Sequence, residues 1–114
     1  MSDCIFCKIV AGELPSENVY ETDDVLAFRD IRPQAPVHVL VIPKKHIQSA
    51  HHVAPEDAEL VGRLHMAAQH VAEELGIAKD GYRLVTNIGW HGQQTVPHLH
   101  YHLIGGRQLQ WPPG

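Results

Sequence analysis

Residues 98–102 read His-Leu-His-Tyr-His, followed by Leu103 and Ile104. Side chains along a strand alternate between its two faces, so His98, His100 and His102 share one face and Leu99, Tyr101 and Leu103 the other. The three imidazoles then line about 13 Å of strand, whereas a helix would turn the middle one away. Crowding and partial burial both disfavour the imidazolium, so at least one ring stays neutral with a bare nitrogen. Such a nitrogen can attack phosphorus or carbon, accept a proton or bind a metal. A polar face of satisfied histidines is the bland alternative, and three alternating rings argue against it.

Other residues could serve the same face. Asp30 closes a β-rich run, and a carboxylate at a strand end can accept hydrogen bonds from the paired hydroxyls of a ribose; an ordinary turn residue reads equally well. Gly92-Gln93-Gln94-Thr95 precedes the histidines, and a glycine-bearing loop lets backbone N–H groups approach an anion. His38 alternates with Val37 and Val39, sharing a strand face with Leu40 and Ile42, from which it could orient another imidazole. Cys4 and Cys7 form a CxxC, readable as a redox pair, half of a zinc site or two core thiols; no βαβ context supports the redox reading. Lys44 and Lys45 read as a solvated pair, and His51, His52, His65 and His70 as structural or exposed.

The elements that must carry these residues follow from patterning. Asp3 to Val10 can form a short helix, stopped by Gly12 and Pro15. Strands are expected at Asn18–Glu21, Val25–Asp30, Val37–Ile42, Tyr82–Asn87 and His98–Ile104, with Arg32–Pro36 and Ile88–Pro97 as loops. Pro55 to Leu75 is the long helix: proline suits its first turn, Glu56 and Asp57 favour its positive end, and Gly76 supplies the stop. Val61, Leu64, Ala68, Val71, Ala72 and Leu75 make its apolar stripe. The order suggests an α+β domain spanning 1–114, an antiparallel sheet covered by one helix.

Composition agrees. The chain has 114 residues, 44% hydrophobic and 19% charged, which reads as globular. A net charge of −4 argues against nucleic-acid binding. Ten histidines are well above ordinary usage and point to imidazole chemistry. No run has the length of a membrane helix, and the start of the chain lacks the basic and apolar regions of a secretory leader. Two cysteines so close together make no disulfide scaffold, so a reducing, cytoplasmic setting is expected.

These residues together resemble the histidine-triad superfamily, in its nucleotide-binding, purine nucleoside phosphoramidase branch. The resemblance runs over essentially the whole chain. It rests on Ile5-Phe6, on Leu26-Ala27-Phe28-Arg29-Asp30-Ile31, on Pro33-Gln34-Ala35-Pro36 and on Val41-Ile42-Pro43-Lys44-Lys45-His46. It continues through Asn87, the triad, Gly105-Gly106-Arg107-Gln108 and Trp111-Pro112-Pro113-Gly114.

The resemblance implies a homodimer whose two five-stranded antiparallel sheets, each with one long and one short helix, join into a ten-stranded one. It implies hydrolysis of nucleoside 5′-monophosphoramidates, such as adenylate with an amine or lysine leaving group. His100 would be the nucleophile, His98 would contact it through the backbone, His102 would meet the phosphate and His38 would orient the group from behind. Asp30 would hold the ribose hydroxyls. Ile5, Phe6, Ile9, Phe28, Ile31 and Leu40 would line the base slot, and Asn87, Gln94 and Thr95 would surround the phosphate. Catalysis would require no cofactor. Members that keep the CxxC bind a structural zinc, here matching Cys4, Cys7, His46 and His98. Gln93 departs from the family, standing where glycine is common, and Trp90-His91 and Pro97 depart as well. Two other classes remain: a zinc hydrolase using the strand histidines as ligands, and a nucleotide- or partner-binding regulator with little turnover.

Overall fold

A computed structural model describes residues 3–114, so the first two residues of the expected domain lie outside the described part. Helix α1 covers Ile5–Val10, and strands β1 (Asn18–Glu21), β2 (Val25–Arg29) and β3 (Val37–Pro43) follow. Two short 3-10 turns, Ala50–His52 and Pro55–Asp57, lead into helix α2 (Ala58–Glu74), and β4 (Tyr82–Val85) and β5 (Tyr101–Gly105) complete the fold. The five strands form one antiparallel sheet in the order β1-β2-β3-β5-β4. The expected α+β class, with one long and one short helix, is what the chain adopts.

The strand alternation splits the apolar residues between two layers. Val25, Ala27, Val39, Val41, Leu99 and Leu103 pack against Leu64, Ala67, Ala68, Val71 and Ala72 of α2. Leu26, Phe28, Leu40 and Ile42 point the other way and pack with Cys4 and Phe6 at the start of α1. His38 lies on that second face by the same period. Burying a side chain such as Leu64 contributes about 1.5–3 kcal/mol, so α2 secures the sheet while α1 shapes its functional side.

Several expected boundaries shift for physical reasons. The short helix starts at Ile5 because Cys4 caps it: its Sγ accepts from the Cys7 N–H at 3.4 Å. The long helix is α-helical only from Ala58, since Asp57 turns its carboxylate back to the Ala54 N–H at 3.1 Å. The run expected as β2 ends at Arg29, the next continues through Pro43, and β4 stops at Val85. The largest difference is at the triad, where the ladder begins at Tyr101 and not at His98. The main-chain groups ahead of it are bonded elsewhere: the Leu99 N–H to the Ile47 carbonyl at 2.6 Å, and the His100 carbonyl to the Thr86 hydroxyl at 2.9 Å. Of the lysines expected as a solvated pair, Lys45 is exposed and Lys44 half-buried, and both are ion-paired: Lys44 meets Glu21 at 2.6 Å and Lys45 meets the buried Asp57 at 2.7 Å.

Candidate active site

The two-faced alternation holds through the irregular part of the triad. Leu99 and Leu103 are buried in the α2-side core and Tyr101 packs against it, which leaves the imidazoles to the α1 side. There the three rings have different surroundings, and the hydrogen bonds fix which nitrogen of each is bare.

His100 is buried, and its Nδ1 lies 2.7 Å from the His98 carbonyl. A carbonyl only accepts, so Nδ1 carries the proton and Nε2 keeps its lone pair. Burial pushes the ring below the ordinary histidine value, opposed by that hydrogen bond and by Asp30. Phe6 stands edge-on to it, with centroids 5.2 Å apart. The result is a neutral imidazole whose Nε2 keeps its lone pair.

His102 lies beside it, with ring centroids 5.0 Å apart. Its Nδ1 is 2.9 Å from Nε2 of the buried His38. The Gln34 N–H donates to His38 Nδ1 at 3.0 Å, so the proton of neutral His38 sits on Nε2. His102 Nδ1 therefore accepts and its Nε2–H is left as a donor. Burial, then repulsion from His100 and His38, holds His102 down at about 4. Burial likewise lowers His38, against the pull of Asp30, whose Oδ2 lies 3.5 Å from the His38 Nε2. The other Asp30 oxygen accepts from the Arg32 N–H at 2.8 Å.

His98 turns away from its two companions. Its Nε2 lies 2.8 Å from the Pro43 carbonyl and so bears the proton. Its bare Nδ1 faces Cys4 Sγ at 3.3 Å, Cys7 Sγ at 3.5 Å and His46 Nδ1 at 3.2 Å. Cys7 Sγ is also 3.3 Å from His46 Nδ1. A tetrahedral zinc with bonds of about 2.0 Å to nitrogen and about 2.3 Å to sulfur has edges of about 3.3 Å and about 3.5 Å. Two sulfurs and two nitrogens with these separations, all within 4.8 Å of one another, fit such an ion. Asp30, His38 and His102 form the second group of potential ligand atoms among the described residues. That trio is held together by an imidazole proton, which a metal would have to displace. Neither group includes His100, and each takes a single triad histidine. Among the described residues, no group of three or more such ligand atoms brings two triad histidines together.

The residues expected to line the base slot and surround the phosphate fall in both expected and unexpected places. Phe6, Phe28 and Leu40 are buried on the α1 face and Ile9 packs against them. Ile5 and Ile31 are 53% and 92% exposed, at a rim and not within a wall. Asn87 and Gln94 use their amides to tie the loop that follows β4. Asn87 Nδ2 donates to the Gly92 carbonyl at 2.6 Å, and Gln94 Nε2 donates to the carbonyls of Gln48 and Val96 at 2.8 and 3.0 Å. Thr95 is exposed on that loop. Gln93 has φ 63°, the left-handed region that glycine enters without strain. The chain thus keeps the backbone path of a glycine with a bulkier residue. Sequence reasoning missed Thr86, the Pro43 and Ile47 carbonyls and the Gln34 N–H. The last three are main-chain groups, carbonyls that every residue offers and an N–H that every residue but proline offers, so no signal could have found them.

A fold of this topology with a triad set in this way defines a histidine-triad protein. Residues 11–109 match the family model described as the HIT domain, and the chain belongs to that family. It is 53% identical to an uncharacterised HIT-like protein of Synechocystis, over 98% of this chain and 97% of the relative. It superposes on a HIT family hydrolase from Legionella pneumophila with TM-score 0.96 and 51% identity, covering 98% of this chain and all of the other. A histidine triad protein from Clostridium difficile gives TM-score 0.93 at 45% identity, with 96% of each chain covered.

Proposed function

We propose that the protein is a hydrolase of nucleoside 5′-monophosphoramidates, with His100 as the nucleophile. The observation that carries this reading is the 2.7 Å contact from His100 Nδ1 to the His98 carbonyl, which leaves Nε2 bare in a buried, neutral ring. Nε2 attacks phosphorus and the P–N bond breaks. The amine leaves with a proton taken from solvent in the open slot. His100 is then a nucleotidyl-imidazolium, and the His98 carbonyl stabilises its positive charge. The Nε2–H of His102 is a donor for a non-bridging phosphate oxygen. Water then attacks phosphorus, the P–Nε2 bond breaks with its electron pair returning to His100 Nε2, the water's proton passes to solvent, and the nucleoside monophosphate is released.

The substrate is a purine nucleotide: apolar Phe6, Phe28, Leu40 and Ile9 offer a flat base a slot, and Asp30 offers the ribose hydroxyls an acceptor. Cys4, Cys7, His46 and His98 would hold a structural zinc. With four protein ligands the ion has no open position to activate water. Its contribution is to fix His98, whose carbonyl meets His100. The place of β4 at the end of the strand order supports a homodimer that extends the sheet to ten strands.

The test uses a fluorogenic adenylate phosphoramidate. The expected result is turnover by the wild type, a nucleotidyl adduct on His100 after alkaline quench, and a loss of about 10³-fold or more in kcat for His100→Ala, with nucleotide binding retained. Near-normal turnover by His100→Ala refutes the assignment. Binding without turnover by the wild type assigns the protein to the regulatory class.

A further inference from the structure

We propose that Arg107, at the turn after β5, is a positioning residue for His102, acting through the main chain of Gln34 and the ring of His38. The inference builds on the catalytic reading of the triad but is not part of it. Arg107 is exposed, and its guanidinium donates twice to one acceptor: Nε and Nη2 meet the Gln34 carbonyl at 3.2 and 2.9 Å. Its Nη1 donates to the Gln108 carbonyl at 3.3 Å. Gln34 in turn donates its own N–H to His38 Nδ1 at 3.0 Å, and His38 Nε2 reaches His102 Nδ1 at 2.9 Å. The Gln34 side chain takes no part, being spent on the Arg32 carbonyl at 3.0 Å.

The placement of Arg107 is enforced locally. Gly106 has φ +93°, and a Cβ there would meet the Pro36 side chain at 2.9 Å. The turn after β5 therefore passes hard against the loop between β2 and β3. That loop has no ladder partner of its own, so the planar fork of Arg107 is what holds the Gln34 carbonyl.

The consequence is a choice between two tautomers. With the Gln34 N–H aimed at it, His38 Nδ1 must be the bare nitrogen, Nε2 carries the proton, and His102 presents Nε2–H outward. The held carbonyl lies in the Gln34–Ala35 peptide and the donating N–H in the Pro33–Gln34 peptide, so the two are coupled through the φ and ψ of Gln34. If release of the carbonyl lets the N–H swing away, His38 can carry its proton on Nδ1. A bare His38 Nε2 would then demand a proton on His102 Nδ1, leaving a lone pair on His102 Nε2 where a phosphate oxygen must sit. Two acceptors facing each other repel, so the wrong tautomer penalises the transition state more than it does the nucleoside part of binding.

The experiment reads the nitrogens directly, by long-range 1H–15N correlation on protein with 15N-labelled histidine, since protonated and bare imidazole nitrogens differ widely in shift. The wild type is expected to show Nε2–H and bare Nδ1 at both His38 and His102. Arg107→Met is expected to show a mixture of tautomers at both rings, with kcat about tenfold lower and KM within about twofold. Gln34→Ala, which keeps the N–H and the carbonyl, is expected to match the wild type. A wild-type nitrogen pattern in Arg107→Met overturns the proposal, as does a lost pattern in Gln34→Ala, which would assign the effect to the side chain. If Arg107→Met does not fold, Arg107→Lys carries the same test. Its one ammonium nitrogen in place of the two-nitrogen fork is expected to give a smaller admixture, and an unchanged pattern there is equally fatal. The nitrogen pattern does not depend on substrate, so an inactive wild type would sink the phosphoramidase reading while leaving this one standing.

Discussion

Acidification from pH 7 to 4 is expected to cost the wild-type protein stability that His102→Asn keeps. His102 is held at about 4 instead of 6.5, by burial first and then by His100 and His38. A base displaced downward in the fold stays neutral there while the unfolded chain takes up a proton. Between pH 6.5 and about 4 the unfolded state therefore binds more protons. The contribution of His102 is complete above 6.5 and is lost as pH falls toward about 4. At about 1.4 kcal/mol per pH unit this displacement corresponds to about 3 kcal/mol. Solvent reaches part of the ring, which reduces the expected difference to about 2 kcal/mol. His38, His98 and His100 are lowered in the same sense and remain in both proteins, as do the carboxylates. The difference between the two pH dependences thus reports the removal of His102 together with any shift it causes in the coupled rings of His100 and His38. Urea unfolding at several pH values, followed by far-UV circular dichroism, measures it; Trp90 and Trp111 are 90% and 80% exposed and report little on the core. Equal losses in wild type and variant would refute the reasoning, because they would mean that His102 titrates alike in the folded and unfolded chain.

Phe6→Ala should destabilise the fold by about 3 kcal/mol and admit water to His100. The His100 value would rise toward 6.5 and carry the acid limb of kcat/KM upward, which a pH–rate profile checks. Asp30→Ala should erase the preference for ribose: the wild type is expected to use a 2′-deoxy substrate about tenfold less well, as a lost buried hydrogen bond of about 1–3 kcal/mol requires, and the variant to treat both alike in competition assays. Protein purified without chelator should carry about one zinc per chain by elemental analysis. Cys7→Ser should lower both the zinc content and the melting temperature, and a zinc-free wild type of full stability would remove the metal.

The sequence alone determined what depends on short-range periodicity. The two-residue alternation of 98–103 fixed which face the histidines occupy, even where the strand ladder fails. The apolar stripe expected within Pro55–Leu75 marked the face α2 presents to the sheet through Leu64, Ala68, Val71 and Ala72, although Leu60 and Ala67 pack there and Val61 is not among the packed residues. The runs Val25 to Asp30 and Val37 to Ile42 were legible as strands, to within one residue at their ends, because β-rich runs bounded by turn residues have few other uses. The resemblance added the residues of the slot, and CxxC with ten histidines raised the metal option.

Tertiary structure decided the protonation and division of labour among residues that look alike in the sequence. His98, His100 and His102 are chemically identical and evenly spaced, yet one faces two thiols, one keeps a bare nitrogen and one meets His38. The partners that separate them are largely main-chain groups: the carbonyls of Pro43 and His98 and the N–H of Gln34. A backbone carbonyl has no residue code, and its direction is set by contacts between segments as many as 73 residues apart, as between Arg107 and Gln34. Side-chain type and period are local properties of a chain, whereas the choice of tautomer requires three segments brought within hydrogen-bonding distance, and only the folded sheet brings them there.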